Sequence, residues 1–127
     1  MHQDCLAAMP EEGCGLLAGR ILQEGYQAFD VIPMGNSLHS ASRYRMDAEE
    51  QYKRFNEIDR MGLELVGIYH SHPAGFPYPS PIDQSEAYYP EVIYLIWGIS
   101  DDGWECRGYF ISDQEIEPIE ILIDVKE

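Results

Sequence analysis

Residues 70–83 read HSHPAGFPYPSPID, and four side chains in that stretch, His70, His72, Ser80 and Asp83, have the types and spacing for metal chemistry. Side chains alternate faces along a strand, so two imidazoles one residue apart point the same way if the backbone between them is extended. A pair so placed fills two corners of a metal's coordination sphere, although surface or hydrogen-bonded core histidines account for most H-x-H pairs. Ser80 is a good helix N-cap, Pro81 fits the first helical position and Asp83 suits the first turn, an ordinary helix start in itself. Such a start also leaves Asp83 free to face back toward the histidines. Two histidines and a carboxylate with one open position form a catalytic zinc arrangement, whereas structural sites close all four positions. Iron and cobalt accept the same donors, so zinc is an inference from ligand type and the other two stay open. An unremarkable strand, turn and helix corner fits the same residues.

The surrounding elements must bring these groups together. ELVGIYHSH predicts the strand that carries the histidines, and the loop PAGFPYP, stiffened by its prolines and turning at Gly75, delivers Ser80. SPIDQSEAYY predicts a short helix, VIYLIWGIS a strand and DDG a tight turn, with WECRGYFIS and IEPIEILIDV as two closing strands. Upstream, residues 1–9 read as a piece of helix ended by Pro10, and GCGLLAGRIL and YQAFDVIPM as strands joined at QEG. GNSLHSASRYR reads as a polar loop. DAEEQYKRFNEIDRMG predicts a helix capped by Asp47 and stopped at Gly62, with Tyr52, Phe55, Ile58 and Met61 at helical spacing. The sum is one mixed α/β (α+β) domain over residues 1–127, its sheet largely antiparallel and flanked by helices.

The composition excludes several functions. Eight Lys and Arg against 23 Asp and Glu give a formal net charge of -15, which disfavours nucleic acid and anionic membrane surfaces as partners. Such acidity suits a surface adapted to high salt or steering toward a basic partner. No apolar run approaches the ~20 residues that span a bilayer, and the first residues carry no secretory pattern, so a cytoplasmic location is expected. Cys5, Cys14 and Cys106 form no CxxC pair and are expected to be reduced.

The stretch HSHPAGFPYPSPID fits H-x-H-x7-S-x2-D and resembles the signature of the JAMM (MPN+) metalloproteases; PEEGCGLLAGR is similar to the segment that carries that family's glutamate. The resemblance implies a single JAMM/MPN+ domain with a cytidine-deaminase-like sheet. It implies that His70, His72 and Asp83 hold one Zn2+ per chain, that Glu12 is the general base and that Ser80 helps to hold the oxyanion. Glu12 is taken over Glu11 because the family glutamate stands three residues before the strand glycine, here Gly15; by residue type alone either is a surface charge. Asn36 and Ser37 are weaker candidates for substrate contact, and His39 for the groove or, more simply, for a solvated loop. Trp97, Trp104 and the tyrosines of AYYPEVIY read as core or cleft walls, and Cys14 as an inert buried thiol. After Asp83 there is no room for a long insertion, which resembles small prokaryotic-type members. Those act on ubiquitin-like or sulfur-carrier proteins with a Gly-Gly tail, at a peptide or isopeptide bond. A noncatalytic scaffold of the same fold and a metal amidohydrolase of small amides share the pattern.

Overall fold

The computed structural model describes residues 1–122. The chain runs α1 (His2–Ala8), β1 (Cys14–Leu22), β2 (Gly25–Met34), α2 (Ala48–Arg60), β3 (Glu64–Ser71), α3 (Pro81–Ser85), β4 (Ile93–Ser100), β5 (Gly103–Ile111) and β6 (Ile116–Ile119). The strands form one sheet in the order β2-β1-β3-β4-β5-β6. Every neighbouring pair is antiparallel except β3 and β4, which run parallel with Gly67 opposite Ile93 and Ser71 opposite Trp97. A parallel pair needs a crossover, and the segment that makes it is the loop and short helix holding Ser80 and Asp83. The predicted mixed, mostly antiparallel class is the observed one.

Each face of the sheet buries its own apolar set. On one, Leu16, Ala18, Ile68, Tyr94 and Ile96 pack with Ile58 of α2. On the other, Leu17, Val66, Tyr69 and Leu95 pack with Cys5 of α1. Full burial of side chains of this size stabilises by roughly 1.5–3 kcal/mol each, which anchors the helices to the sheet. An irregularity opposite Leu17 and Ala18, with Val66 as the extra residue, puts Val66 and Ile68 in opposite cores although they are two residues apart, and sets the phase that turns His70 to the α2 side.

Helix α2 starts as expected, Asp47 Oδ2 accepting from the Glu50 N–H at 3.0 Å, and Gly62 follows it at φ +72°. Its inward stripe is narrower than predicted. Phe55 and Ile58 meet the core, but Tyr52 and Met61 are 68% and 49% exposed, because each i, i+3 step drifts by about 60° around the helix and leaves these two at opposite flanks of the face that Phe55 and Ile58 centre. Helix α3 ends at Ser85 rather than reaching Tyr89, with Glu86 as its C-cap. Strand β6 stops at Ile119, and the end of the predicted closing strand, from residue 123, lies outside the described residues. Among the described residues no helix is long and apolar enough to cross a membrane.

Candidate metal centre

Strand β3 ends at Ser71, between the two histidines. Ser71 is fully buried; its Oγ accepts from the Gly13 N–H at 2.8 Å and its own N–H donates to the Gly13 carbonyl at 3.0 Å. That double contact clamps the residues before β1 against the strand end and sets Glu12 beside the histidines. The His72 N–H donates to the Trp97 carbonyl at 2.7 Å, which carries the β3–β4 alignment one residue further.

The loop from 73 to 79 is pinned from beneath. The Ile99 N–H donates to the Gly75 carbonyl at 2.7 Å and the Tyr109 hydroxyl to the Pro77 carbonyl at 2.6 Å. Both contacts require Gly98, where a Cβ would stand 2.6 Å from the Pro77 nitrogen. The loop then enters α3 through a capping box: Ser80 Oγ accepts from the Asp83 N–H at 3.0 Å, and Asp83 Oδ2 from the Ser80 N–H at 2.9 Å. The same Oδ2 lies 3.0 Å from His72 Nε2 and 3.2 Å from His70 Nε2, and those two nitrogens are 3.1 Å apart. The ordinary helix start and the three-ligand cluster therefore coexist in one side chain.

Protons decide what the cluster suits. His72 Nδ1 lies 3.0 Å from the Phe76 carbonyl, which can only accept, so that nitrogen carries the hydrogen. The neutral ring then turns a bare Nε2 lone pair toward the Asp83 carboxylate and the His70 ring. A cation satisfies that face, either a proton held between His72 and Asp83 or a metal ion. Donor atoms on a tetrahedral ion with bonds of about 2.0–2.1 Å stand roughly 3.3 Å apart, close to the observed separations. Burial lowers the His70 pKa despite Asp83, favouring the neutral ligating form. Burial also pulls on His72, but the contacts with Asp83 and the Phe76 carbonyl raise it overall. Burial pushes Asp83 up, yet the bonds from both histidines hold it well below the usual carboxylate range.

Glu12 is 3% exposed, and its Oε1 is buried without a hydrogen-bond partner among the described residues. One ligand atom each from Glu12, His70 and His72 lie within 4.8 Å of one another. Burial is the main reason its carboxyl is pushed up to about 8. Glu11 turns outward instead, its carboxylate 3.1 Å from the exposed ring of His39. Burial and position thus separate two glutamates that the sequence leaves equivalent by type.

Two further residues matter here. Tyr44, from the loop between β2 and α2, stacks on His70 with ring centres 4.5 Å apart and planes 22° apart, holding an imidazole whose Nδ1 is buried without a partner among the described residues. A lone tyrosine between two arginines carries no periodic signal that would single it out. Asn36 is 8% exposed and makes no provision for a substrate. Its Nδ2 donates to the carbonyls of Glu12, Ser40 and Arg43 at 3.1, 3.3 and 3.0 Å, and its Oδ1 accepts from the Leu38 and Arg45 N–H groups at 3.1 and 3.2 Å. It ties the loop that carries Tyr44 to the backbone of Glu12. Ser37 Oγ likewise donates within the loop, to the Arg45 carbonyl. Cys14 is fully buried, its thiol pushed up to about 12 chiefly by burial, in keeping with an inert side chain.

The profile described as prokaryotic homologs of the JAB domain matches residues 1–109 of this chain. The CysO-cysteine peptidase of Mycobacterium tuberculosis is 36% identical over 117 residues, 89% of this chain and 78% of the relative. The desampylase of Haloferax volcanii is 36% identical over 106 residues, 83% of this chain and 73% of the relative. Among solved structures, a protein of Desulfitobacterium hafniense superimposes with a TM-score of 0.87 at 29% identity, over 98% of this chain and 86% of its own.

Proposed function

The chain belongs to the family of prokaryotic homologues of the JAB domain, and on that premise we propose that it is a zinc-dependent peptidase or isopeptidase of the JAMM type. It acts in the cytoplasm as a single domain over residues 1–127, cutting next to the C-terminal Gly-Gly of a ubiquitin-like or sulfur-carrier protein. The observation that carries this reading is the convergence of His70 Nε2, His72 Nε2 and Asp83 Oδ2 within 3.0–3.2 Å, with the buried carboxylate of Glu12 alongside. The similarity to a CysO-cysteine peptidase and a desampylase supports the substrate class.

His70, His72 and Asp83 would hold one zinc per chain and leave a position open. When bound, the ion acidifies a water and polarises the scissile carbonyl. Glu12 takes the proton of the attacking water and returns it to the leaving amine; a carboxyl raised toward neutrality by burial suits both transfers. Ser80 Oγ spends a lone pair on the Asp83 N–H, so its own hydrogen is available to the carbonyl oxygen as charge develops there. Ser80→Ala should therefore do two separable things. Loss of the cap lowers stability by about 1 kcal/mol, read as a modest fall in melting temperature, and turnover falls on the order of 10²-fold with zinc content unchanged. A stability loss with wild-type turnover would leave Ser80 as a cap and nothing more.

Glycines beside the scissile bond let the substrate backbone come close to the site, which is why a Gly-Gly tail suits it sterically. The test uses a ubiquitin-like sulfur carrier extended beyond its Gly-Gly and a copy in which Gly-Gly is replaced by Ala-Val. Mass spectrometry should show loss of the extension from the first alone, and chelator should stop it. Equal cleavage of both, or none by the zinc-loaded protein, would remove this substrate class.

A further inference from the structure

A cavity of about 300 Å³ has Asp83, Arg43, Arg45, Tyr44 and Tyr89 among its lining residues. In a chain with only eight Lys and Arg and a net charge of -15, two guanidinium groups beside the metal cluster stand out. A single carboxylate, Glu86, faces both of them. Arg43 Nε donates to Glu86 Oε1 at 2.9 Å, while Arg45 Nη2 stays 3.6 Å from Oε2, outside hydrogen-bonding range. Among the described residues that is the one hydrogen bond either guanidinium makes, so most of their N–H donors are unspent, and the two side chains remain 41% and 55% exposed. Asp83, the other carboxylate on this cavity, is engaged by the two histidines and the Ser80 N–H, so the charged groups left over are guanidinium donors, on a surface that elsewhere repels anions. Guanidinium forks match carboxylates in geometry as well as charge.

We propose that this cavity is a carboxylate-binding subsite for the peptide substrate, with Arg43 and Arg45 as its specificity determinants. The proposal deepens the peptidase reading and rests on it. Two parts of such a substrate can supply the carboxylate: the free α-carboxylate of the residue released, or an acidic side chain just before the Gly-Gly.

Equilibrium binding to the zinc-loaded, full-length protein separates these sources without asking for turnover. Short peptides bearing Gly-Gly-Ala, the scissile amide replaced by a ketomethylene group, are compared as C-terminal acid and C-terminal amide. A second pair carries Asp or Asn before the Gly-Gly. The charged member of one pair should bind at least about tenfold more tightly than its neutral partner, the low end for a hydrogen-bonded charge. Arg45→Gln, which leaves the Arg43–Glu86 hydrogen bond in place, should abolish most of that preference while the neutral peptides bind as before. The pair that discriminates names the source. Equal binding within both pairs, or a preference that persists in Arg45→Gln and in Arg43→Gln/Arg45→Gln, would overturn the subsite. Because nothing is cut, a failure to hydrolyse substrates is a separate result that bears on the peptidase reading alone.

Discussion

Replacing Glu12 by Gln is expected to leave zinc content at wild-type level and to remove nearly all turnover, a fall of about 10²–10⁴-fold for loss of a positioned proton acceptor. The substitution keeps size and shape in a site where the side chain is almost fully buried. The two roles open to Glu12 therefore separate cleanly. Its carboxylate lies within 4.8 Å of the histidine nitrogens, a position consistent with contacting an ion or with acting through a water. Metal analysis of the purified variant, set beside kcat, decides between them. Full zinc with lost turnover makes Glu12 the base; lost zinc makes it a ligand. Wild-type turnover would take it out of the mechanism altogether.

The second large effect concerns the ion's holders. Substituting His70 or His72 by Ala, or Asp83 by Asn, should weaken zinc binding on the order of 10²-fold or more, since even the outer partners of metal ligands contribute 10–100-fold. Asp83→Asn is the most informative of the three. An asparagine oxygen still accepts the Ser80 N–H, which preserves the capping box, while the charge facing the histidines disappears. Zinc at a hundred times its dissociation constant should stabilise the wild-type fold by about 2.7 kcal/mol. Thermal melts with and without zinc should show that gain in the wild type and lose most of it in Asp83→Asn. Zinc retained in the His70→Ala/His72→Ala double variant would place the metal elsewhere.

Much of this site was legible in the residues because its parts are local. An H-x-H pair at a strand end and an S-x-x-D helix start each follow from one element's periodicity, and the loop between them is marked by its prolines and glycine. What joins them to Glu12 is not local. Gly13 and Ser71 are 58 residues apart, and no pattern in either segment announces their pairing. The choice of Glu12 over Glu11 therefore rested on resemblance until burial distinguished them. Tyr44 was hidden for a related reason, and Asn36 was singled out for substrate contact rather than for bracing the loop. Each reaches the site from an irregular loop, where there is no repeat to reveal an inward face. Helix α2 shows the opposite error, since spacing grouped Tyr52 and Met61 with Phe55 and Ile58 although steps of three drift by about 60° each and carry the ends of the row outward.

The pinned loop over Gly98 also divides the chain into places that tolerate added sequence and places that do not. Residues 73–79 are bonded to Ile99 and Tyr109 beneath them and packed where even one methyl group on residue 98 would collide. An insertion there would slide Asp83 away from the histidines. The turn between Leu22 and Gly25 joins β1 to the outermost strand of the sheet, and its Gly25 has nothing within 4 Å of where a side chain would begin. A docking peptide, affinity tag or second domain built into this protein belongs at that turn, where it can be carried without disturbing the metal cluster.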